Sequence, residues 1–232
     1  ATLRWRHPQR GLLAPERFVK IAEEAGLARS LGEWTLDRAV LQAREWRGLP
    51  DLNLPIAVGL SGVHLSPSMI DMLQSTLDRH TIDAQSIEME VSETTLMRNI
   101  EESRTHVMRL RDMNVKVLVE DFGTGYSTVQ YLRRLPVTGV KIAPLFVREI
   151  VNNPNDRALV RGMISMARSL DMAVIAEGVD TVEQLDVLRE LGCTDFSGAH
   201  FMQAVPPLEL EQRLLRDTNI SRLASRRPAN PQ

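Results

Sequence analysis

The sequence predicts an α/β protein of the TIM-like (β/α)8 barrel class, and three observations support this prediction. Short apolar runs alternate with longer segments whose apolar residues recur every three to four positions, as in repeated βα units around a parallel sheet. The chain has 232 residues, which is an ordinary size for one such barrel. Acidic residues stand where the apolar runs end, and barrels carry their active sites at those strand ends. An open, doubly wound sheet is the alternative architecture.

Seven apolar runs are the predicted strands. Five are continuous and bounded by turn residues, namely residues 56–60, 86–91, 115–120, 139–142 and 172–177. Residues 2–5 and 193–197 are weaker candidates. Because a closed barrel needs eight strands, we expect its first strand to precede residue 1.

The segments between these runs predict amphipathic helices. Residues 15–26 have Pro15 in the first turn and Gly26 at the end, the usual punctuation of a helix. Residues 30–46 open with Ser30 and Glu33 at the spacing of a capping box. Four more segments have helical apolar spacing, namely 66–80, 99–113, 156–170 and 181–192. We expect residues 1–217 to form the barrel domain and the polar residues 218–232 to be a flexible tail.

Composition excludes several classes of protein. The net charge of −2 gives no basic field for DNA. The single cysteine, Cys193, cannot form an internal disulfide or a cysteine-based metal site, which indicates a reducing and therefore cytoplasmic location. No apolar run approaches the roughly 20 residues of a membrane span, so any membrane tether would lie outside this segment.

Five acids and one lysine fall at the predicted carboxyl ends of the strands. They are Glu90, Glu93, Glu120, Asp121, Glu177 and Lys141. Crowded carboxylates repel each other unless a cation lies among them, and oxygen ligands suit Mg²⁺, Mn²⁺ or Ca²⁺. Two such ions would clamp a phosphodiester and generate hydroxide, with Lys141 orienting the water or contacting phosphate. The alternative is that each acid only stabilises the helix start beside it.

The residues from Thr2 to Pro207 resemble the EAL family of cyclic di-GMP phosphodiesterases. The motifs that carry the resemblance are "LRWRHPQRGLLAP", "VSET", "EDFGTGYS", "YLRRLPV", "VKIAPLFV" and "VIAEGVD". The resemblance implies an EAL-type barrel with one antiparallel strand and two catalytic metal ions. It also implies hydrolysis of cyclic di-GMP to linear pGpG.

The resemblance also implies roles for individual residues. The catalytic positions are Lys141 and Glu177, and Glu93 would stabilise the loop of the "DFGTGYS" motif. The metal positions are Glu90, Glu120, Asp121 and Glu177. The ligand-binding positions are Leu3, Arg4, Pro15, Asp121, Lys141, Glu177 and Asp180.

Several positions depart from the family's pattern. Gly59 stands for an Asn, Ala143 for an Asp, Ser197 for a Gln and Asp180 for a Glu. Glu120 stands for an Asp, and its extra methylene would move the carboxylate by about 1.5 Å. The family's signature Glu would stand immediately before Ala1. Because a metal site needs its full set of ligands, these departures predict that Lys141, Glu177 and the metal positions are relics.

The expected function is therefore that of a degenerate EAL domain, a cyclic di-GMP receptor with little or no hydrolysis. One alternative is an active phosphodiesterase, which would use Mg²⁺ or Mn²⁺; a receptor would need no metal cofactor. The other is a protein-interaction module that no longer binds nucleotide. The resemblance further implies a homodimer formed through residues 124–136 and an upstream sensor or GGDEF-type domain.

Overall fold

The protein is seen in a computed structural model that describes residues 1–49, 54–59, 65–125 and 132–225, with side chains up to residue 216. Within these residues, one sheet has six parallel strands in the order β3-β4-β5-β6-β7-β8. Its strands are β3 (Ile56–Gly59), β4 (Ile87–Ser92), β5 (Lys116–Phe122), β6 (Gly139–Ile142), β7 (Ala173–Ala176) and β8 (Asp195–Phe196). The α/β class with a parallel sheet that the sequence predicts is confirmed.

The first predicted strand is placed differently. Residues 2–5 do not join the parallel sheet; instead β1 (Trp5–His7) pairs antiparallel with β2 (Gly11–Leu13) in a separate hairpin. The turn between them ends at Gly11, whose φ of +68° suits glycine and reverses the chain. The Trp5 ring then packs edge-on against Phe18, with 5.7 Å between ring centroids. The prediction of a barrel strand at residues 2–5 is therefore wrong.

Nine α-helices lie within the described residues and cover the sheet. They are α1 (Val19–Glu24), α2 (Ala28–Arg47), α3 (Pro67–His80), α4 (Glu93–Arg98), α5 (Ile100–Asp112), α6 (Pro144–Arg148), α7 (Pro154–Ser169), α8 (Val182–Glu190) and α9 (Pro207–Ser225). Pro15–Arg17 and Ala84–Ser86 are short 3₁₀ turns.

The predicted capping box at Ser30 is wrong. Helix α2 starts earlier, because the Leu31 N–H already donates to the Leu27 carbonyl at 3.0 Å. A complete capping box occurs instead at α8, where Thr181 and Gln184 exchange hydrogen bonds.

The core lies between the strands and the helices. All four residues of β6 are buried, as expected for a parallel strand covered on both faces. The last helix joins this core through α2, since Trp46 Nε1 donates to Glu211 Oε1 at 2.7 Å. The predicted domain boundary at residues 217 and 218 falls within α9.

Parts of some sequence predictions lie outside the described residues. They are the end of the predicted strand at residue 60, part of the dimer-contact segment at residues 126–131 and the end of the tail at residues 226–232. In the part of the chain that the structure describes, no helix is both long enough and apolar enough to cross a bilayer.

Candidate functional site

The parallel strands bring three of the predicted acids and the lysine to one rim of the sheet. Glu90 lies in β4 directly opposite Gly59 of β3. Glu120 lies near the end of β5, and Glu177 follows β7, where its N–H donates to the Ile142 carbonyl at 3.2 Å. These carboxylates share an edge because neighbouring parallel strands end on the same side.

Lys141 of β6 connects two of these acids. Its Nζ lies 2.6 Å from Oε1 of Glu90 and 2.6 Å from Oε1 of Glu177. The lysine is only 8% exposed. Burial alone would lower the pKa of Lys141, but the attraction of Glu90 and Glu177 outweighs it and raises that pKa. Lys141 is therefore charged and fixed between the two carboxylates.

Glu120 is in a different electrostatic situation. Burial raises the pKa of Glu120 to about 7, and the nearby charge of Glu90 adds to this effect while Lys141 opposes it. A carboxyl group with this pKa is only partly ionised at neutral pH. Glu120 is thus a poorer anion than an exposed glutamate.

Gly59 faces the same acids without contributing an oxygen. A Cβ built on Gly59 would lie 3.8 Å from Oε2 of Glu120 and 4.0 Å from Oε2 of Glu90. A polar side chain at position 59 would therefore point at both carboxylates. Two other departures from the motif also lack a carboxylate: Ala143 is buried at the start of α6 and Ser197 is exposed after β8.

The donor set does not fit the two metal ions that the resemblance implies. Among the residues that the structure describes, no group of three His, Cys, Asp or Glu side chains is arranged to hold a metal ion. The geometry gives a physical reason, since the Lys141 ammonium lies against Glu90 and Glu177. Gly59 adds no ligand atom between Glu90 and Glu120.

Glu93 contacts the loop after β5. Glu93 is 1% exposed, and its Oε2 accepts a hydrogen bond from the Gly123 N–H at 2.8 Å. A Cβ on Gly125 would lie 2.7 Å from Oε1 of Glu93, so this glycine allows the close approach. Asp121 is exposed with φ of +55°, and its carbonyl accepts from the Thr124 hydroxyl at 2.8 Å.

A cavity of about 210 Å³ lies beside the acids. Leu3 and Pro15, two predicted ligand-binding residues, line it together with Glu90 and Glu120. Glu16 and Thr35 also line it, and the sequence analysis did not identify them. The position of Glu16 directly after Pro15 was the available signal, whereas Thr35 reaches the cavity only through the packing of α2.

The other five predicted ligand-binding residues are not part of this cavity's lining; they are Arg4, Asp121, Lys141, Glu177 and Asp180. Arg4 is exposed, and its Nη1 donates to the Leu3 carbonyl at 2.8 Å and to Thr2 Oγ1 at 3.2 Å. Asp180 is exposed and accepts from the Ala199 N–H at 3.2 Å. Asp180 thus connects the loop after β7 to the loop after β8.

Comparison with known proteins decides the family. The family model described as the EAL domain matches residues 1–204. The chain belongs to the EAL domain family. Its six-stranded parallel sheet is accordingly part of an EAL-type (β/α)8 barrel, as the sequence predicted.

Two curated relatives of this EAL chain are proteins of Pseudomonas aeruginosa. The bifunctional diguanylate cyclase/cyclic di-GMP phosphodiesterase MucR is 36% identical over 211 residues, which are 90% of this chain and 31% of MucR. The cyclic di-GMP phosphodiesterase NbdA is 37% identical over 215 residues, 92% of this chain and 28% of NbdA. The chain thus spans about a third of the length of the curated relatives it matches.

Solved structures give the same family. The MucR phosphodiesterase in complex with c-di-GMP has a TM-score of 0.87 and 36% identity, covering 90% of this chain and 85% of that one. The EAL enzyme Bd1971, bound to cAMP and cyclic di-GMP, has a TM-score of 0.83 and 26% identity, covering 91% of this chain and 58% of that one.

Proposed function

We propose that this EAL domain binds cyclic di-GMP and hydrolyses it poorly or not at all, acting as a receptor or regulatory module in second-messenger signalling. The observation that carries the proposal is the state of the acids that would hold metal. Glu90 and Glu177 are in contact with the Lys141 ammonium, and Gly59 offers no oxygen to the acids it faces. Losing several ligands together removes the positioning on which metal-assisted hydrolysis depends.

Retained groove residues support nucleotide binding. Leu3 and Pro15 supply apolar surface beside the acidic rim. Arg4 has a guanidinium fork suited to a phosphate, and its present hydrogen bonds to its own segment would be exchanged for that contact. The related MucR phosphodiesterase has been solved as a c-di-GMP complex, which supports the choice of ligand.

The first alternative, an active phosphodiesterase, is favoured by the identity to NbdA and by the presence of Lys141 and Glu177 on the rim. It would require Mg²⁺ or Mn²⁺ held by Glu90, Glu120, Asp121 and Glu177. The donor set of the described residues does not fit such ions while Lys141 contacts two of these acids. The second alternative, a protein-interaction module without nucleotide, corresponds to a chain that binds no cyclic di-GMP.

Calorimetric titration with cyclic di-GMP in Mg²⁺, followed by chromatography of the nucleotides, distinguishes the three functions. We expect binding with a Kd on the order of 1 μM and no pGpG. Production of pGpG at the rate of an ordinary enzyme, of the order of 1 per second or faster, would refute the receptor proposal. If the protein bound no cyclic di-GMP, the result would support the protein-interaction module.

An arginine substitution tests the site of binding. Arg4→Ala should weaken binding by roughly 10- to 100-fold, because a charge-assisted hydrogen bond to phosphate contributes about 1.5–3 kcal/mol. Arg6→Ala is the matched control, since Arg6 is an exposed arginine of β1, two residues after Arg4. Equal losses in both variants would indicate a general effect of charge rather than a specific phosphate contact.

The remaining parts of the proposal concern the setting of the domain. We assign the barrel unit to residues 1–217, since Leu214 and Leu215 of α9 still pack against the core, and residues 218–232 to the tail. We further propose a cytoplasmic homodimer coupled to an upstream sensor or GGDEF-type domain. The bifunctional name of MucR supports the last point. Light scattering that gives a monomeric mass at high concentration would refute the dimer.

A further inference from the structure

The rim contains a buried network of three charged side chains. Lys141 reaches from β6 across to Glu90 on β4 and to Glu177 after β7, and both contacts are 2.6 Å. The side chains of Lys141, Glu90 and Glu177 are 10%, 11% and 18% exposed. Ion pairs this short and this buried are screened little by water or salt.

A second lysine–glutamate pair on the same sheet shows what is special about this network. Lys116 of β5 lies 3.2 Å from Glu88 of β4, but the lysine side chain is 55% exposed and, among the described residues, pairs with this one carboxylate. An exposed pair of this kind exchanges readily with solvent and contributes little. Lys141 instead contacts two carboxylates in a setting with little solvent.

Two carboxylates of the rim are already in contact with a cation, the Lys141 ammonium. One ammonium lies between two carboxylates, and Gly59 adds no side-chain oxygen beside Glu90 and Glu120. A divalent ion requires carboxylates that are ionised and turned towards it. Binding here would need Glu90 and Glu177 to release Lys141.

We propose that the Lys141 ammonium is the resident cation of this EAL rim and that it occupies the carboxylate oxygens a divalent ion would need. Cyclic di-GMP is then bound without metal. The statement about cyclic di-GMP rests on the proposed function. The statement about Lys141 does not, because cation binding can be measured without nucleotide. Lys141 is here a counter-ion that keeps the acidic rim closed to metal, and its removal creates a cation site.

A manganese titration without nucleotide measures this directly. Free Mn²⁺ is followed by electron paramagnetic resonance with the wild type, Lys141→Met and the control Lys116→Met. We expect Lys141→Met to bind Mn²⁺ at least about tenfold more tightly than the wild type, because a repelling charge has been removed a few ångströms from the ion. Lys116→Met should match the wild type. Adding Glu90→Gln to Lys141→Met should abolish the gain.

Two results would overturn the proposal. One is tight uptake of two Mn²⁺ ions by the wild type. The other is a folded Lys141→Met protein, judged by circular dichroism, with no gain in Mn²⁺ affinity. Because the variant leaves two buried carboxylates unpaired, it is prepared in Mn²⁺, and Lys141→Gln serves as a second, more polar variant.

If neither Lys141 variant folds, the metal dependence of cyclic di-GMP binding by the wild type still tests the proposal. Cyclic di-GMP affinity is compared in EDTA and in Mg²⁺, and we expect it to agree within about twofold, since the rim already has its cation. A gain of about tenfold or more in Mg²⁺ would overturn the resident-cation proposal while leaving nucleotide binding intact. Absence of nucleotide binding in both buffers would refute the proposed function, and the wild-type manganese titration would still decide the cation question.

Discussion

Two glycines at the same rim, Gly123 and Gly59, differ in how much room they have for a side chain. At the loop after β5, a Cβ on Gly123 would collide with Met163 Cε and lie 2.8 Å from Phe146 Cε2, so the loop tolerates little change. At Gly59 the contacts of a Cβ with the described residues are two carboxylate oxygens, at 3.8 and 4.0 Å, which are ordinary distances. The comparison teaches that packing constrains position 123 of the supporting loop, whereas position 59 has room for a side chain.

The largest expected effect is on phosphodiesterase turnover, when oxygen ligands are restored around position 59. The combined change Gly59→Asn, Glu120→Asp and Ala143→Asp should raise phosphodiesterase turnover in Mg²⁺ or Mn²⁺ at least about 1,000-fold, or about 4 kcal/mol, because the three restored ligands would hold a divalent ion in competition with the Lys141 ammonium. Release of pGpG measures the rate. Gly59→Ala with Glu120→Asp and Ala143→Asp is the control, since it fills position 59 without an oxygen. Equal turnover in both would contradict the ligand argument.

The next largest effect is on the free energy of unfolding, when Gly123 in the loop after β5 is replaced. Gly123→Ala should lower the free energy of unfolding by about 2–3 kcal/mol, because alanine combines a φ of +97° with the contacts to Met163 and Phe146. Chemical denaturation measures the change. Gly162→Ala is the matched control in α7, where a Cβ meets no atom of the described residues within 4 Å, and it should stabilise by about 0.5–1 kcal/mol. If Gly123→Ala left the free energy of unfolding unchanged, packing would not distinguish position 123 from position 59.

A smaller effect follows from the proton on Glu120. Its folded pKa of about 7 lies above its ordinary value near 4.5, so the folded state binds more protons between these two pH values. Its contribution is complete below about pH 4.5 and is lost as the pH rises through 7. Because the side chain is partly exposed, we expect a loss of about 1–2 kcal/mol rather than the full effect. The difference in unfolding free energy between the wild type and Glu120→Gln, measured in EDTA across this range, should show that slope. A pH-independent difference would contradict the assignment.

The smallest effect concerns an exposed ion pair outside the rim. Arg109 Nη2 on α5 lies 2.7 Å from Asp71 Oδ1 on α3, but the two side chains are 43% and 67% exposed. Arg109→Ala should change the unfolding free energy by less than about 1 kcal/mol, since solvent screens such pairs. A loss as large as that of Gly123→Ala would show that surface charge contributes more here than packing does.

Much of the fold was predictable because strand and helix periods are local. The runs at residues 139–142 and 86–91 predicted β6 and β4 with their bounds nearly right, since a buried parallel strand is a continuous apolar run. The hairpin of β1 and β2 was missed because its apolar residues are few and it pairs with itself. The start of α2 was misplaced because a helix can begin without a side-chain cap.

By itself the sequence determined the βα order, the family motifs and the placement of acids at strand ends, because each depends on residues close together in the chain. Tertiary structure alone decided which charges meet. Lys141 and Glu90 are 51 residues apart, and their contact exists because β5 separates two parallel strands whose ends share one rim. The direction of Gly59 towards two carboxylates and the raised pKa of Glu120 likewise arise from burial at that rim, which no local pattern specifies.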